Sequence, residues 1–300
     1  MCTCQLTYYY PVKELIKIGG VPEHFNLPWQ LAIEKNLFAI NGIHLEWSFY
    51  AGGTGDMTKA LSRGDLDMAI LLTEGYFSAL HQGLEAQVVK VHIDSPLVWG
   101  IYTGADSDIF LPHANQYSKT AISRFGSGSH LMAMIDASQH HRKMEKEDFV
   151  VVSSLLGAID SLVAHETGYF YWEKFMTRPF VVQGLVRLIG DFSAPWSGFL
   201  VVAGNDAMKK KAELIHTILS LMNTECEKFR LHPDSALEIS RRFEMTEEES
   251  ADWLKETVWN TGFSANKQSF LNARNALAAM GLSNPGLNIN ECCAEWLQLE

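Results

Sequence analysis

The feature that most constrains this chain is a cycle repeated through its first hundred residues: an apolar run, a glycine turn, then helical spacing. The runs lie at 14–19 (ELIKIG), 44–50 (HLEWSFY), 68–72 and 86–93. A loop broken by Pro22 and Pro28 follows the first run, and Trp29, Ile33 and Leu37 then share one stripe of a helix predicted over 29–38. Gly52-Gly53-Thr54-Gly55-Asp56 follows the second run and leads into a short helix over 57–61. Thr73 follows the third, with a helix over 74–81. Such alternation calls for a mostly parallel sheet with helices on both faces. Ligands of such sheets collect at the strand C-terminal ends, where these turns fall.

The same grammar returns further on. A strand over 99–104 and a polar loop over 105–119 precede a run at 121–125 that stops at Gly126-Ser127-Gly128-Ser129-His130. A helix then starts at Leu131, with Met132, Met134 and Ile135 as packing residues. Further rounds pair a strand at 149–153 with a helix over 156–165, and a strand at 168–172 with a helix start at Glu173. Residues 186–192 are extended, and a strand returns at 199–203. Beyond it the character is helical. Met208, Ala212, Ile215, Leu219, Met222, Cys226 and Phe229 fall on one face of a long helix starting near Asp206. Thr246 and Glu249 form a capping box opening a helix with Ala251, Leu254 and Val258 inside, and a helix over 270–280 is closed by Gly281. After Pro285 periodicity stops, so 286–300 is expected as a loosely docked or mobile tail.

The predicted fold class is therefore α/β: two lobes, mixed sheets flanked by helices, and a ligand cleft between them. Residues 14–95 with 197–285 form the first lobe and 96–196 the second, the chain crossing near 94–99 and 193–198. The two glycine turns face each other across the cleft, and the helical C-terminus packs on the first lobe.

Composition narrows the partners. The chain of 300 residues is 47% hydrophobic and 20% charged, an ordinary globular balance. Its net charge of −11 argues against nucleic acid as a partner. The one basic cluster, Lys209-Lys210-Lys211, reads as the solvated face of a helix. No apolar run reaches the roughly 18 residues of a membrane span. The N-terminus lacks the pattern of a secretory signal, so a cytoplasmic location is expected, with a periplasmic or secreted one as the alternative if a leader was removed. The five cysteines, Cys2, Cys4, Cys226, Cys292 and Cys293, form no disulfide framework and lack the usual zinc-ligand spacing. No metal and no cofactor is expected.

The turn at 126–130 carries the chemistry. A strand ending in a Gly/Ser turn that opens a helix leaves backbone N–H groups without intrahelical partners. Together with the helix dipole they can hold an anionic or strongly polar group. Ser127 and Ser129 add hydroxyls and His130 a titratable donor, although a serine there can equally serve only as the helix cap. His24 sits in a loop beside a Pro-Glu pair, where no helix or sheet is expected to bury it. Trp99, Trp172 and Trp196 suit either stacking on a ligand or packing. Glu74 and Glu173, each at a helix start, either offset a dipole or receive a cationic or N–H group. Thr54 and Thr73 read equally as contacts and as caps.

These residues carry a family resemblance. KIGGVPEHFNLPW, EKNLFAINGIHLEW and YAGGTGDMTKALSRGDLDMAILLTEG, with Gly64-Asp65-Leu66-Asp67-Met68-Ala69 inside the last, resemble the type II periplasmic-binding-protein fold. The similarity is to the branch that binds alkanesulfonates, nitrate and thiamine precursors. ISRFGSGSHLMA and YFYWEKFMTRPFV resemble its leaderless, cytosolic, fungal-type subgroup. The resemblance spans roughly residues 14–280 and implies a hinged receptor closing on one small molecule. It implies ligand contacts at Glu23, His24 and Phe25, at Gly52, Gly53 and Thr54, and at Thr73 and Glu74. In the second lobe it implies Ser127, Gly128, Ser129 and His130, then Trp172 and Glu173.

Catalysis is not expected. The sequence around Ser127 is not a nucleophile elbow, and the adjacent pair His140-His141 cannot face one metal on a helix. Pyrimidine synthases of thiamine biosynthesis share the fold but use a cysteine-rich cluster, whereas these cysteines lie at the termini and in a helix. The sequence thus reads as a non-catalytic binder of a small polar, heteroaromatic or acidic ligand. A thiamine-precursor enzyme and a ligand-gated sensor are the alternatives, and a transporter or protein partner stays unassigned.

Overall fold

The computed structural model describes residues 14–110, 118–243 and 245–300. Ten strands form two five-stranded sheets. The first holds β1 (Leu15–Gly20), β2 (His44–Phe49), β3 (Met68–Leu72), β4 (Ala86–Ile93) and β10 (Phe199–Gly204) in the order β2-β1-β3-β10-β4. The second holds β5 (Val98–Gly104), β6 (Thr120–Ile122), β7 (Phe149–Val151), β8 (Tyr169–Glu173) and β9 (Val186–Ser193) in the order β7-β6-β8-β5-β9. In each sheet four strands run in one direction and the fifth, the strand that enters from the other lobe, is antiparallel to its two neighbours: β10 between β3 and β4, β5 between β8 and β9. The alternation in the sequence thus yields two mixed sheets of matching topology, joined by crossovers between β4 and β5 and between β9 and β10.

The helices follow the glycine turns. They are α1 (Leu27–Glu34), α2 (Leu37–Ile40), α3 (Thr54–Arg63), α4 (Thr73–His81), α5 (Gly128–Gln139), α6 (Leu155–Val163) and α7 (Lys174–Val182). The C-terminal set is α8 (Asn205–Leu231), α9 (Ser235–Phe243), α10 (Glu247–Glu256) and α11 (Lys267–Ala279). The single helix expected over 29–38 is broken at Asn36, whose φ of 55° is left-handed, a conformation asparagine tolerates better than most residues. On α8, Ile215, Leu219, Met222, Cys226 and Phe229 are buried as the periodicity requires. The expected capping box is present, Glu249 N–H donating to Thr246 Oγ1 at 3.2 Å and Thr246 N–H to Glu249 Oε2 at 2.6 Å. Trp253, rather than Val258, is the apolar side chain that α10 buries.

Two expectations are corrected here. Lys211 is not on a solvated face: its Nζ donates to Leu15 O and Asp67 Oδ1, both at 2.8 Å, where α8 departs from helical geometry. The C-terminal residues are docked on the first sheet. Ile289, Cys292, Ala294 and Leu297 are buried, Ala294 N–H donates to Val88 O at 2.9 Å, and Gln298–Leu299 pairs with Ser264–Ala265. Burial of scattered apolar side chains, with no helical period, holds this segment. The polar loop expected over 105–119 lies in part, at 111–117, outside the described residues, as do Cys2 and Cys4. No helix among the described residues is long and apolar enough to cross a membrane.

Candidate ligand-binding cleft

Strand ends from both sheets meet around a cavity of about 420 Å³. The first lobe contributes Glu23, Gly52, Gly53 and Thr54; the second contributes Arg124, Ser127, Gly128, Ser129, Ser153, Trp172 and Glu173. Trp99 and Phe199, near the starts of the two crossing strands, line it as well.

The two glycine turns do face each other. Gly53 has φ 68°, a left-handed conformation that costs glycine little, and it lets the chain turn from β2 into α3. Thr54, buried at the start of α3, accepts from Leu72 N–H through Oγ1 at 3.0 Å, so its hydroxyl ties the helix to the end of β3. Across the cleft Ser127 caps α5: Oγ accepts from His130 N–H at 3.4 Å and donates to Arg124 O at 2.7 Å. Ser129 Oγ accepts from Ser123 N–H at 3.0 Å and lies 3.0 Å from Ser127 Oγ. Both serine hydroxyls therefore hold the turn, which leaves the first N–H groups of α5 to offer a ligand. Gly128 is required by close packing, because a Cβ there would run into the Trp99 indole and meet Leu72 Cδ1 at 3.0 Å.

Arg124 is the residue sequence reasoning missed. It leaves the turn after β6, and its guanidinium crosses the cleft to donate to Gly52 O and lie against Gly55. It is the cation among the cavity's lining residues, beside two carboxyls. Glu173 is 4% exposed and caps α7, accepting from Met176 N–H at 2.8 Å. Burial, and after it the Glu23 carboxyl nearby, raise its pKa to about 8. Glu23 is half-buried, and burial raises it to about 7. Ser153 was also unmarked in the sequence; its φ of 66°, uncommon for a residue with a Cβ, places it at the cavity wall after β7.

Nine of the expected contacts line the cavity, and five do not: His24, Phe25, Thr73, Glu74 and His130. His24 is 1% exposed, against the expectation that its loop would leave it open. Its ring stacks on Trp253 with centroids 4.2 Å apart and touches Phe25, Phe243 and Phe175, and neither ring nitrogen has a hydrogen-bond partner. Burial lowers its pKa to about 3, so it is neutral. Phe25 packs on Phe199, and its carbonyl accepts from Trp259 Nε1 at 3.0 Å. Thr73 and Glu74 hold a crossover instead: Thr73 Oγ1 donates to Ser197 O, and Glu74 Oε2 accepts from Trp196 Nε1 at 2.9 Å. Trp196 is therefore a buried strut. His130 accepts from Gly126 N–H through Nδ1 at 3.1 Å, and its ring meets Phe125 and Phe149 edge-on.

Solved structures give this architecture its parallel. The Candida albicans CA3427 gene product superposes with a TM-score of 0.86 at 22% identity, covering 96% of this chain and 98% of that one, and is described as exhibiting the generic periplasmic binding protein fold. This chain has the periplasmic-binding-protein fold. A family model described as Ca3427-like PBP matches residues 99–192. The periplasmic aliphatic sulphonate binding protein SsuA from Escherichia coli superposes at 0.72, with 17% identity over 96% of this chain and 94% of that one. The alkanesulfonate-binding SsuA from Xanthomonas axonopodis pv. citri, solved with MOPS bound, superposes at 0.77, with 12% identity over 95% and 99%. No curated protein matches this sequence.

Proposed function

We propose that this protein is a binder of one small molecule, held between its lobes and enclosed by their closure about the two crossovers. The observation that carries this reading is the cavity itself: about 420 Å³, lined by turns of both sheets, with polar side chains of both lobes set among apolar ones. The free N–H groups at the start of α5 and the Arg124 guanidinium suit an acidic or strongly polar group of the ligand, and Trp99 and Trp172 a flat part. The sulphonate-binding proteins of the same fold fit this direction. A binding role, in place of catalysis, is supported by the state of the candidate nucleophile: Ser127 donates to a backbone carbonyl, and His130 is turned to Gly126. The free thiols Cys226, Cys292 and Cys293 fit a reducing compartment such as the cytoplasm.

A thermal-shift screen over small sulfonates, carboxylates, pyrimidines and thiazoles tests the proposal. One class should raise the melting temperature by several degrees, since a ligand at about 100 times its Kd adds about 2.7 kcal/mol. No shift with any class would count against it.

A further inference from the structure

The carboxyls of Glu23 and Glu173 make the cleft unlike a simple anion receptor. They come from different lobes, β1's following loop and the end of β8, and line one cavity, where the Glu23 carboxyl raises the pKa of Glu173. Glu173 has a structural task as the α7 cap. Glu23 has none: although it stands at the N-cap position of the turn His24–Asn26, its side chain makes no capping bond, and it has no hydrogen-bond or ion-pair partner among the described residues. A carboxyl without a partner, sharing a partly apolar cavity with a second one, is costly unless something joins them. Arg124 does not; its guanidinium is held by Gly52 O. A wholly anionic ligand would favour the neutral forms of both carboxyls further and give neither a partner.

We infer that the ligand carries a positively charged or N–H-rich nitrogen group that sits between Glu23 and Glu173, in addition to any acidic group held by Arg124 and the start of α5. This rests on the reading of the cleft as a small-molecule site and narrows its ligand to an amphoteric compound. Closure then has a chemical trigger. The nitrogen group would pair with Glu23 on one lobe and Glu173 on the other, joining the two halves through two charge-assisted hydrogen bonds.

Two probes that differ only in that group test it: 4-(aminomethyl)benzoate and 4-methylbenzoate, titrated calorimetrically into the full chain. The aminomethyl compound should bind at least about tenfold more tightly, the scale of a charge-assisted hydrogen bond. That preference should vanish in Glu23→Gln, a change that removes no structural bond. Glu173→Gln keeps an acceptor for Met176 N–H and so the α7 cap, and it should lose the preference too. Equal or tighter binding of the methyl compound overturns the inference while leaving a cleft that binds small acids. Binding of neither probe also overturns it, and the native mass of the purified protein then tells whether the cleft holds a ligand at all. A preference unchanged in both variants would place the nitrogen group elsewhere and overturn it as well.

Discussion

Glu74→Gln should convert a pH-dependent cost of folding into a pH-independent one. Glu74 is 2% exposed, with Oε2 accepting from Trp196 Nε1 and Oε1 without a partner. Burial raises its pKa from 4.5 to about 7. In the unfolded chain this carboxyl loses its proton near 4.5, while the folded protein keeps it until about 7. As pH rises through that window the unfolded state is increasingly favoured, so stability is lost between 4.5 and 7 and is flat above. A shift of roughly 2.5 units at 1.36 kcal/mol each comes to about 3 kcal/mol. Glutamine has the same shape and retains an acceptor for Trp196, but it has no proton to lose. Urea unfolding of both proteins at about pH 4.5 and about pH 8 reads the effect. The variant's stability relative to the parent should improve by about 3 kcal/mol between the two conditions. Every other titrating group is common to both proteins and cancels. Profiles that stay parallel within about 1 kcal/mol would refute the reasoning, because Glu74 would then ionise in the folded state without penalty.

Three further substitutions separate scaffold from site. His24→Phe replaces two unpartnered ring nitrogens inside an aromatic cage; it should raise stability by about 1 kcal/mol in urea and leave ligand affinity unchanged. Ser129→Ala removes the acceptor of Ser123 N–H and should cost about 1–2 kcal/mol, so a loss of binding there would reflect a disordered turn, visible as a lower melting temperature without ligand. Gly128→Ala drives a methyl into Trp99, should cost about 1–3 kcal/mol, and should alter the near-ultraviolet circular dichroism of that indole.

Much of the architecture was legible because it rests on periodicity. The strand at 68–72, all apolar between turn residues, and the α8 stripe ending in Phe229 can bury their faces in only one way. The order of turns along the chain likewise placed Gly52–Thr54 and Ser127–Ser129 at one cleft. What escaped depends on partners distant in sequence. His24 is buried by Trp253 and Phe243, more than two hundred residues away, and a loop histidine carries no mark of that. Thr73 and Glu74 follow a strand end as ligand contacts do, yet they face the crossover at Trp196 and Ser197. Arg124 reads as one more turn residue until the opposite lobe supplies Gly52 O. The C-terminal strand Gln298–Leu299 is two residues long and exists only through its pairing.

Native mass spectrometry of freshly purified protein, with a cavity-filling variant run beside it, reads whether the cavity between the lobes holds a small molecule. Met176 lines the cavity and is half-buried, so Met176→Trp should occupy the space without touching the α7 cap made by Glu173. The parent protein should carry an extra non-covalent mass that is lost on denaturation and is absent from Met176→Trp. The same mass on both proteins would place the ligand elsewhere, and a parent protein that carries no mass and takes up none from cell extract would contradict the proposed small-molecule binding.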